Sequence, residues 1–326
     1  MKSKILAVLR ERGDYVSGQE LCERFGVSRT AVWKAIGQLK KEGFSIEAVQ
    51  NRGYRLVKEA EIYGKYELES HMDTRWAGHP VSFYDVLDST NLRAKLDAEK
   101  GAPQGALVVA DMQTAGRGRR GRSWNSPAGA NAYFTLILKP DFAPDKASML
   151  TLVMAIAAAV GIKETCGAEA VIKWPNDIVI GGKKVCGMLT ELSVQQEYIQ
   201  YVVIGAGINV GLQEFAPEIA SVAACLEQEC GRKVSRAMLI ANIMRAFESY
   251  YELFVKTLDF TQLREVYNGL LVNCDREVRV LDPKGEYTGI SKGINNTGEL
   301  LVELPDGSQV EVYAGEVSVR GIYGYV

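Results

Sequence analysis

Between Gln113 and Trp124 the chain reads Gln-Thr-Ala-Gly-Arg-Gly-Arg-Arg-Gly-Arg-Ser-Trp, with arginines at 117, 119, 120 and 122 spaced by glycines. The glycines at 116, 118 and 121 satisfy a formal G-x-G-x-x-G. A dinucleotide-binding turn needs a helix immediately after it and an acidic ribose partner about twenty residues on. Here Asn125-Ser-Pro-Ala-Gly129 follows instead. The composition suits a backbone-rich cationic loop able to close on a phosphate ester. A plain basic patch for RNA is the competing reading, but such a patch rarely follows a buried strand and ends in an aromatic. Further on, Lys173-Trp-Pro-Asn-Asp177 places an amide and a carboxylate just after a proline that stops a strand. Ile178–Ile180, the Gly181-Gly-Lys-Lys184 turn and Val185–Leu189 then form a hairpin that presents a lysine at its edge. A lysine set between a substrate carboxylate and the α-phosphate of ATP relieves their mutual repulsion, the main obstacle to carboxylate adenylation. Asp177 can hold Mg²⁺ or accept a proton from an attacking amine. Each of these residues, taken alone, also reads as an ordinary turn residue.

A second constellation lies near the amino terminus. Ser17-Gly-Gln-Glu20 is a capping box, Ser28 caps a further helix, and Val32, Ile36 and Leu39 give that helix a core stripe. Its opposite side carries Arg29, Trp33 and Lys40, flanked by Thr30, Lys34 and Lys41. Phe44, Ile46 and Ala48 then alternate, Asn51-Arg-Gly53 turns, and Tyr54 and Leu56 alternate again. A helix-turn-helix followed by a wing that carries Arg52 and Arg55 suits major-groove insertion with backbone contacts. The alternative is a small interaction domain whose charges are merely solvated.

The elements that must position these residues fall into three segments. Residues 1–58 hold 12 basic and 6 acidic side chains, a charge of +6, which leaves −8 for residues 59–326 within a chain of net −2. A basic module is attached to an acidic body. The body mixes strands at Ala106–Met112, Tyr133–Leu138 and Tyr201–Ile208 with helices at Asn91–Glu99, Lys146–Thr165 and Arg236–Thr257. From Asn273 short strands alternate with turns at Asp282-Pro-Lys-Gly285, Asn295-Asn-Thr-Gly298 and Pro305-Asp-Gly307. The expected domains are 1–62, 65–270 and 273–326. The apolar run Met149–Ile162 is too short to span a bilayer and predicts a buried helix. The charged start MKSKILAVLRERGD is unlike a signal peptide. Six scattered cysteines and two histidines predict reduced thiols in a cytoplasmic protein rather than a zinc site.

Five spaced motifs carry a family resemblance: Asp88-Ser-Thr-Asn91, the Gly116–Arg122 loop, Lys173-Trp-Pro-Asn-Asp177, Lys184 ahead of Gly187, and Gly205-Ala-Gly-Ile-Asn209. In this order, with a winged helix in front and a small β-module behind, the whole chain resembles the bifunctional biotin protein ligases, biotin–[acetyl-CoA-carboxylase] ligases that also repress biotin operons. The resemblance implies an α+β protein with a winged helix-turn-helix, a central α/β ligase domain with a mixed sheet and a small SH3-like β-barrel. By position, Ser89, Thr90, Asn91 and Gln113 would bond the biotin ureido group and its surroundings. Arg117, Gly118 and Arg119 would close over biotin and the adenylate, and Lys184 would bind the biotin carboxyl and the α-phosphate. Arg117, Arg119, Arg122, Trp124, Lys173, Asn176 and Asn209 would serve the nucleotide. Asp177 would serve Mg²⁺, with Lys184, Arg119 and Asp177 as the catalytic set. DNA would be read by Ser28, Arg29, Thr30, Trp33, Lys34 and Arg52. A neutral bicyclic urea suits the hydroxyl and amide partners of Ser-Thr-Asn, and Trp124 and Leu189 would wall the thiophane and valeryl chain.

The implied substrates are biotin and Mg·ATP, with biotinyl-5′-AMP as intermediate and corepressor. The implied partners are a carboxylase biotin carrier domain, operator DNA and, when ligand is bound, a second copy of the chain, with no membrane. Two other readings are a biotin-sensing repressor without ligase activity and a lipoate-type acyl ligase. The chain departs from the pattern in the segment Leu212–Leu226. It has no tryptophan to stack on adenine, only Phe215, and Cys225-Leu226 stands where Gram-positive relatives carry Ser-Leu.

Overall fold

The computed structural model describes residues 1–58, 62–282, 285–314, 318–321 and 325–326. Contacts divide the chain into two compact units, Met1–Met72 and Asp73–Val326.

The first unit contains α1 (Lys2–Arg12), α2 (Gly18–Phe25), α3 (Arg29–Lys41), the hairpin β1 (Ser45–Val49) and β2 (Gly53–Lys58), and α4 (Lys65–His71). Local chemistry sets the helix starts. The Ser17 hydroxyl accepts the Glu20 amide at 3.0 Å and the Ser28 hydroxyl accepts the Ala31 amide at 3.2 Å, each satisfying a donor that the first turn leaves open. Val32, Ile36 and Leu39 pack with Ile5, Leu6, Leu9 and Leu21 in one buried cluster. In the hairpin, Ile46 faces Leu56 and Asn51 takes the left-handed conformation that the tight turn needs. The unit runs past the boundary expected at residue 62, because α4 packs on α1. Arg10 there binds both carboxylate oxygens of Glu67 at 2.8 Å and the Ser70 hydroxyl at 2.6 Å.

The second unit is organised on a seven-stranded sheet. In chain order it contains β3 (Val81–Leu87), α5 (Thr90–Glu99), β4 (Leu107–Gln113), β5 (Ala132–Leu138), α6 (Met149–Cys166), β6 (Val171–Lys173), β7 (Asp177–Ile180), β8 (Lys183–Gln195) and β9 (Tyr198–Ile208). The short α7 (Pro217–Ala220) and α8 (Leu226–Cys230) follow, then α9 (Arg236–Thr257) and α10 (Arg264–Leu270). The strand order is β3-β4-β5-β9-β8-β7-β6, with β3 parallel to β4 and every other pair antiparallel, so the sheet is mixed as expected. Strand β5 is buried along its whole length. Helix α5 packs Ala94 and Ala98 on the sheet, and α6 is covered by α9. The segment Pro144–Cys166 is apolar and long enough to cross a membrane, but most of it is buried within the fold, which makes it a core helix.

The remaining strands are β10 (Glu277–Asp282), β11 (Gly285–Ile294), β12 (Leu300–Glu303), β13 (Gln309–Val312) and β14 (Ser318–Gly321). They form an antiparallel sheet in the order β13-β12-β11-β10-β14. Among the described residues no ladder joins β13 to β14, the two outer strands of this order. The turn residues Pro283 and Lys284 lie outside the described residues. The sheet docks on the body where the Trp174 indole donates to Gly298 O at 3.1 Å.

Candidate active site

The middle of β8 and β9 is bare of side chains at three points, and two aromatic or amide groups fill the space. A methyl group on Gly207 would lie 2.5 Å from Trp124 Nε1, and one on Gly205 would lie 2.0 Å from Asn91 Oδ1. A methyl group on Gly187 would lie 2.9 Å from both the same indole and Lys184 Nζ. The Gly205-Ala-Gly207 motif is thus a floor on which Trp124 and Asn91 lie directly against backbone. Around this floor is a cavity of about 870 Å³. Every residue expected to serve biotin, nucleotide or metal lines it: Ser89, Thr90, Asn91, Gln113, Arg117, Gly118, Arg119, Arg122, Trp124, Lys173, Asn176, Asp177, Lys184 and Asn209. Leu189 is also in the wall.

At one end, hydrogen bonds fix the polar groups. The Thr90 amide and hydroxyl donate to Gln113 Oε1 at 2.9 and 3.1 Å, and Gln113 Nε2 donates to the Ser126 hydroxyl at 2.9 Å. Ser126 in turn donates to Trp124 O at 3.0 Å. The buried Thr135 hydroxyl donates to Asn91 Oδ1 at 2.7 Å, while Asn91 Nδ2 donates to Glu191 Oε2 at 2.8 Å and Leu189 O at 3.2 Å. The Asn91 carboxamide is therefore consumed within the protein. The Ser89 hydroxyl has no partner among the described residues, which leaves it available to a ligand. Ser126 and Thr135 organise this end, and nothing in their sequence context distinguishes them from other strand and loop residues.

The other end is cationic. Arg119 donates to Asn176 Oδ1 at 2.7 Å and to Ala314 O at 2.6 Å, so the arginine loop reaches the carboxy-terminal sheet. Burial lowers the Arg119 pKa, opposed by the nearby Asp177 charge. Within the loop, Gly118 N donates to Arg122 O at 2.7 Å, and Arg120 takes a left-handed conformation at φ +59°. A β-bulge beside Val179 brings Lys184 round to face Asp177, with Nζ 2.6 Å from Oδ1 and 5.3 Å from the Trp124 ring centre. Lys173 is buried beneath the Tyr325 ring, 3.4 Å from its centre, and burial lowers its pKa to about 8. The Tyr325 hydroxyl donates to Asp177 Oδ2 at 2.5 Å. Burial, reinforced by the Asp177 charge, pushes that phenol well above its usual value. Arg279 and Arg320, cross-strand neighbours on β10 and β14, line the same end. Neither the alternation of β10 and β14 nor the position of Tyr325 beyond β14 signals a site at these three carboxy-terminal residues.

The segment Gln213–Ala223 borders the cavity through Phe215, Ile219 and Val222. Its ends are held. Gln213 and Asn131 exchange two amide hydrogen bonds at 2.9 and 3.0 Å, and Asn209 Nδ2 donates to Ala224 O at 3.1 Å. Lys184 N donates to Val222 O at 2.7 Å and Ala224 N donates to Lys184 O at 2.9 Å. Cys225 is fully buried at the start of α8. Among the described residues no group of three His, Cys, Asp or Glu could hold a metal. Asp177 as one carboxylate fits Mg²⁺ that arrives on ATP phosphates, which takes only one or two protein carboxylates.

In the first unit, Ser28, Arg29, Thr30, Trp33, Lys34 and Arg52 are all exposed, Trp33 at 66%. Arg29 accompanies α2 through Gln19 at 3.0 Å, and Arg52 stacks on Tyr15, 4.2 Å from the ring centre. The second wing cation, Arg55, is paired with Glu47 at 2.9 Å.

Comparison with known proteins agrees with this arrangement. Residues 2–55 match the HTH domain family, 83–209 the Biotin/lipoate A/B protein ligase family and 274–320 the Biotin protein ligase C terminal domain. The chain is 37% identical to the bifunctional ligase/repressor BirA of Bacillus subtilis over 98% of both chains. It is 32% identical to the Escherichia coli protein of the same name, covering 97% of this chain and 96% of that one. The biotin protein ligase of Aquifex aeolicus, solved with biotin and ATP, superimposes with a TM-score of 0.66 at 28% identity, covering 74% of this chain and 99% of its own. With a helix-turn-helix unit ahead of the ligase unit and this similarity along almost its entire length, the chain belongs to the family of bifunctional biotin ligase/repressors.

Proposed function

We propose that the chain activates biotin with Mg·ATP and transfers it to a lysine of a carboxylase biotin carrier domain. In the first step a biotin carboxylate oxygen attacks the α-phosphorus, pyrophosphate leaves, and biotinyl-5′-AMP forms. In the second the acceptor amine attacks the acyl carbon and AMP leaves. Ser89, Thr90 and Gln113 take the ureido end, Asn91 fixes their frame, and Trp124 and Leu189 wall the apolar part. Lys184 shields the two anions from each other, and Arg117, Gly118, Arg119 and Arg122 cover the adenylate. Lys173, Asn176 and Asn209 serve the nucleotide side, and Asp177 meets the Mg²⁺ that arrives with ATP. The observation that carries this reading is the union, in one cavity, of a hydroxyl–amide cluster at one end and Lys184 with Arg119 at the other. Biotin-dependent pyrophosphate release, followed by a mass increase of an apo carrier domain, tests it. Release with lipoate in place of biotin would point to the lipoate-type chemistry, and absence of release to a repressor alone.

The first unit's exposed α3 face and wing support binding of operator DNA, with biotinyl-5′-AMP as corepressor and a dimer as the bound form. A single winged helix covers one half-site, so pairing doubles the contacts. A gel-shift titration on a biotin-operon promoter, with and without biotin plus ATP, tests this half separately. Equal binding in both conditions would remove the corepressor role.

A further inference from the structure

Asp177 is the carboxylate around which the cations of the cavity are arranged, and a residue beyond β14 holds it. Lys184 Nζ lies 2.6 Å from one oxygen, and the Tyr325 hydroxyl donates to the other at 2.5 Å. The same ring covers Lys173. Tyr325 lies past residue 320, where the match to the ligase carboxy-terminal domain ends. If Lys184 is to serve a substrate carboxylate and an α-phosphate, its ammonium, which has three donors, must share or give up its contact with Asp177. Any weakening of that contact leaves a mostly covered carboxylate, its side chain 14% accessible, short of its cation, which is costly. A phenol hydrogen bond that stays in place lowers this cost and keeps the carboxylate from following the lysine.

We propose that Tyr325 is a positioning residue for adenylation: its hydroxyl anchors Asp177, which sets where Lys184 waits and lets it pass to the substrate anions, while its ring seats Lys173. This rests on the ligase reading above. The step concerned is the attack of biotin on ATP. Transfer from a finished adenylate no longer has two anions to bring together, so it does not need the anchor.

The test uses the full chain with Tyr325→Phe, which keeps the ring and removes the hydroxyl, and Tyr325→Leu, which removes both. Pyrophosphate release reports adenylation, and labelling of an apo carrier domain from supplied biotinyl-5′-AMP reports transfer. For Tyr325→Phe, kcat of adenylation should fall about tenfold, with the biotin KM and the transfer rate changed by less than about twofold. Tyr325→Leu should lose more, because Lys173 loses its cover. In an Asp177→Asn background Tyr325→Phe should cost nothing further, since the two side chains act as one unit. The proposal is overturned by wild-type adenylation in Tyr325→Phe, by parallel loss of both half-reactions and of thermal stability, or by an undiminished effect in the Asp177→Asn background. Failure of the unaltered chain to release pyrophosphate would instead remove the ligase reading itself.

Discussion

Replacing Lys184 with alanine isolates the electrostatic core of the proposed reaction. A biotin carboxylate brought to about 4 Å from an α-phosphate meets roughly 4 kcal/mol of repulsion at an effective dielectric of 20, before any bond forms. The ammonium of Lys184, 2.6 Å from Asp177, is the group placed to offset it. Loss of one such preorganised contact costs about 2.7–4 kcal/mol at the transition state, or about 10²–10³ in adenylation rate. The fold should survive. Lys184 and Asp177 are partly accessible, at 26% and 14%, and Asp177 keeps its bond to Tyr325. The stability change should then be roughly 1–3 kcal/mol, several degrees in Tm. Pyrophosphate release measured at saturating biotin, beside a thermal melt, gives both numbers. A folded Lys184→Ala protein that releases pyrophosphate at the wild-type rate would refute the assignment, and so would a rate loss fully explained by unfolding.

Three further outcomes are expected. Gly207→Ala puts a methyl 2.5 Å from the Trp124 indole, an overpacking of about 1–3 kcal/mol, and should weaken biotin binding in calorimetry. Adding Trp124→Phe should restore part of the stability, and strict additivity of the two changes would contradict the contact. Lys173 has a folded pKa of about 8, below its usual 10.5, so the unfolded chain holds the extra proton between those values. Stability should therefore rise with pH through that window relative to Lys173→Met, by at most roughly 3 kcal/mol, and a flat difference in denaturation midpoints would count against the burial argument. A protein beginning at Asp73 should keep biotin-dependent pyrophosphate release and lose DNA binding, which in the intact chain should fall steeply with salt. Retained binding in a gel shift would place the DNA contacts elsewhere.

The parts of this molecule that were readable from sequence are those where chemistry and local geometry coincide. Ser17 and Ser28 cap helices as their spacing requires, and Arg236–Thr257 is a helix over its whole expected length. The motifs at Ser89, Gly116–Arg122, Asn176 and Lys184 come from separate strands and loops, yet they converge on one cavity. What stayed hidden depends on contacts distant in sequence. Thr135 is one buried strand residue among seven until Asn91 is placed against it. Tyr325 is an aromatic beyond the last strand until it meets Asp177, 148 positions earlier. The Arg10–Glu67 pair that ties α4 to α1 spans 57 residues and carries no local pattern.

The backbone of Lys184 is paired on both its amide and its carbonyl with the Gln213–Ala224 segment that borders the cavity. That segment cannot lift at its Val222–Ala224 end without freeing the strand position that carries the lysine. Amide hydrogens of Lys184 and Ala224 should therefore exchange with solvent as one cooperative opening unit, whereas those around Phe215 are free to exchange earlier. A ligand that immobilises the segment would slow exchange at Lys184 even without touching its ammonium. Closure of the segment and the position of Lys184 are thereby linked by two main-chain hydrogen bonds, which substitution of side chains in the segment leaves in place.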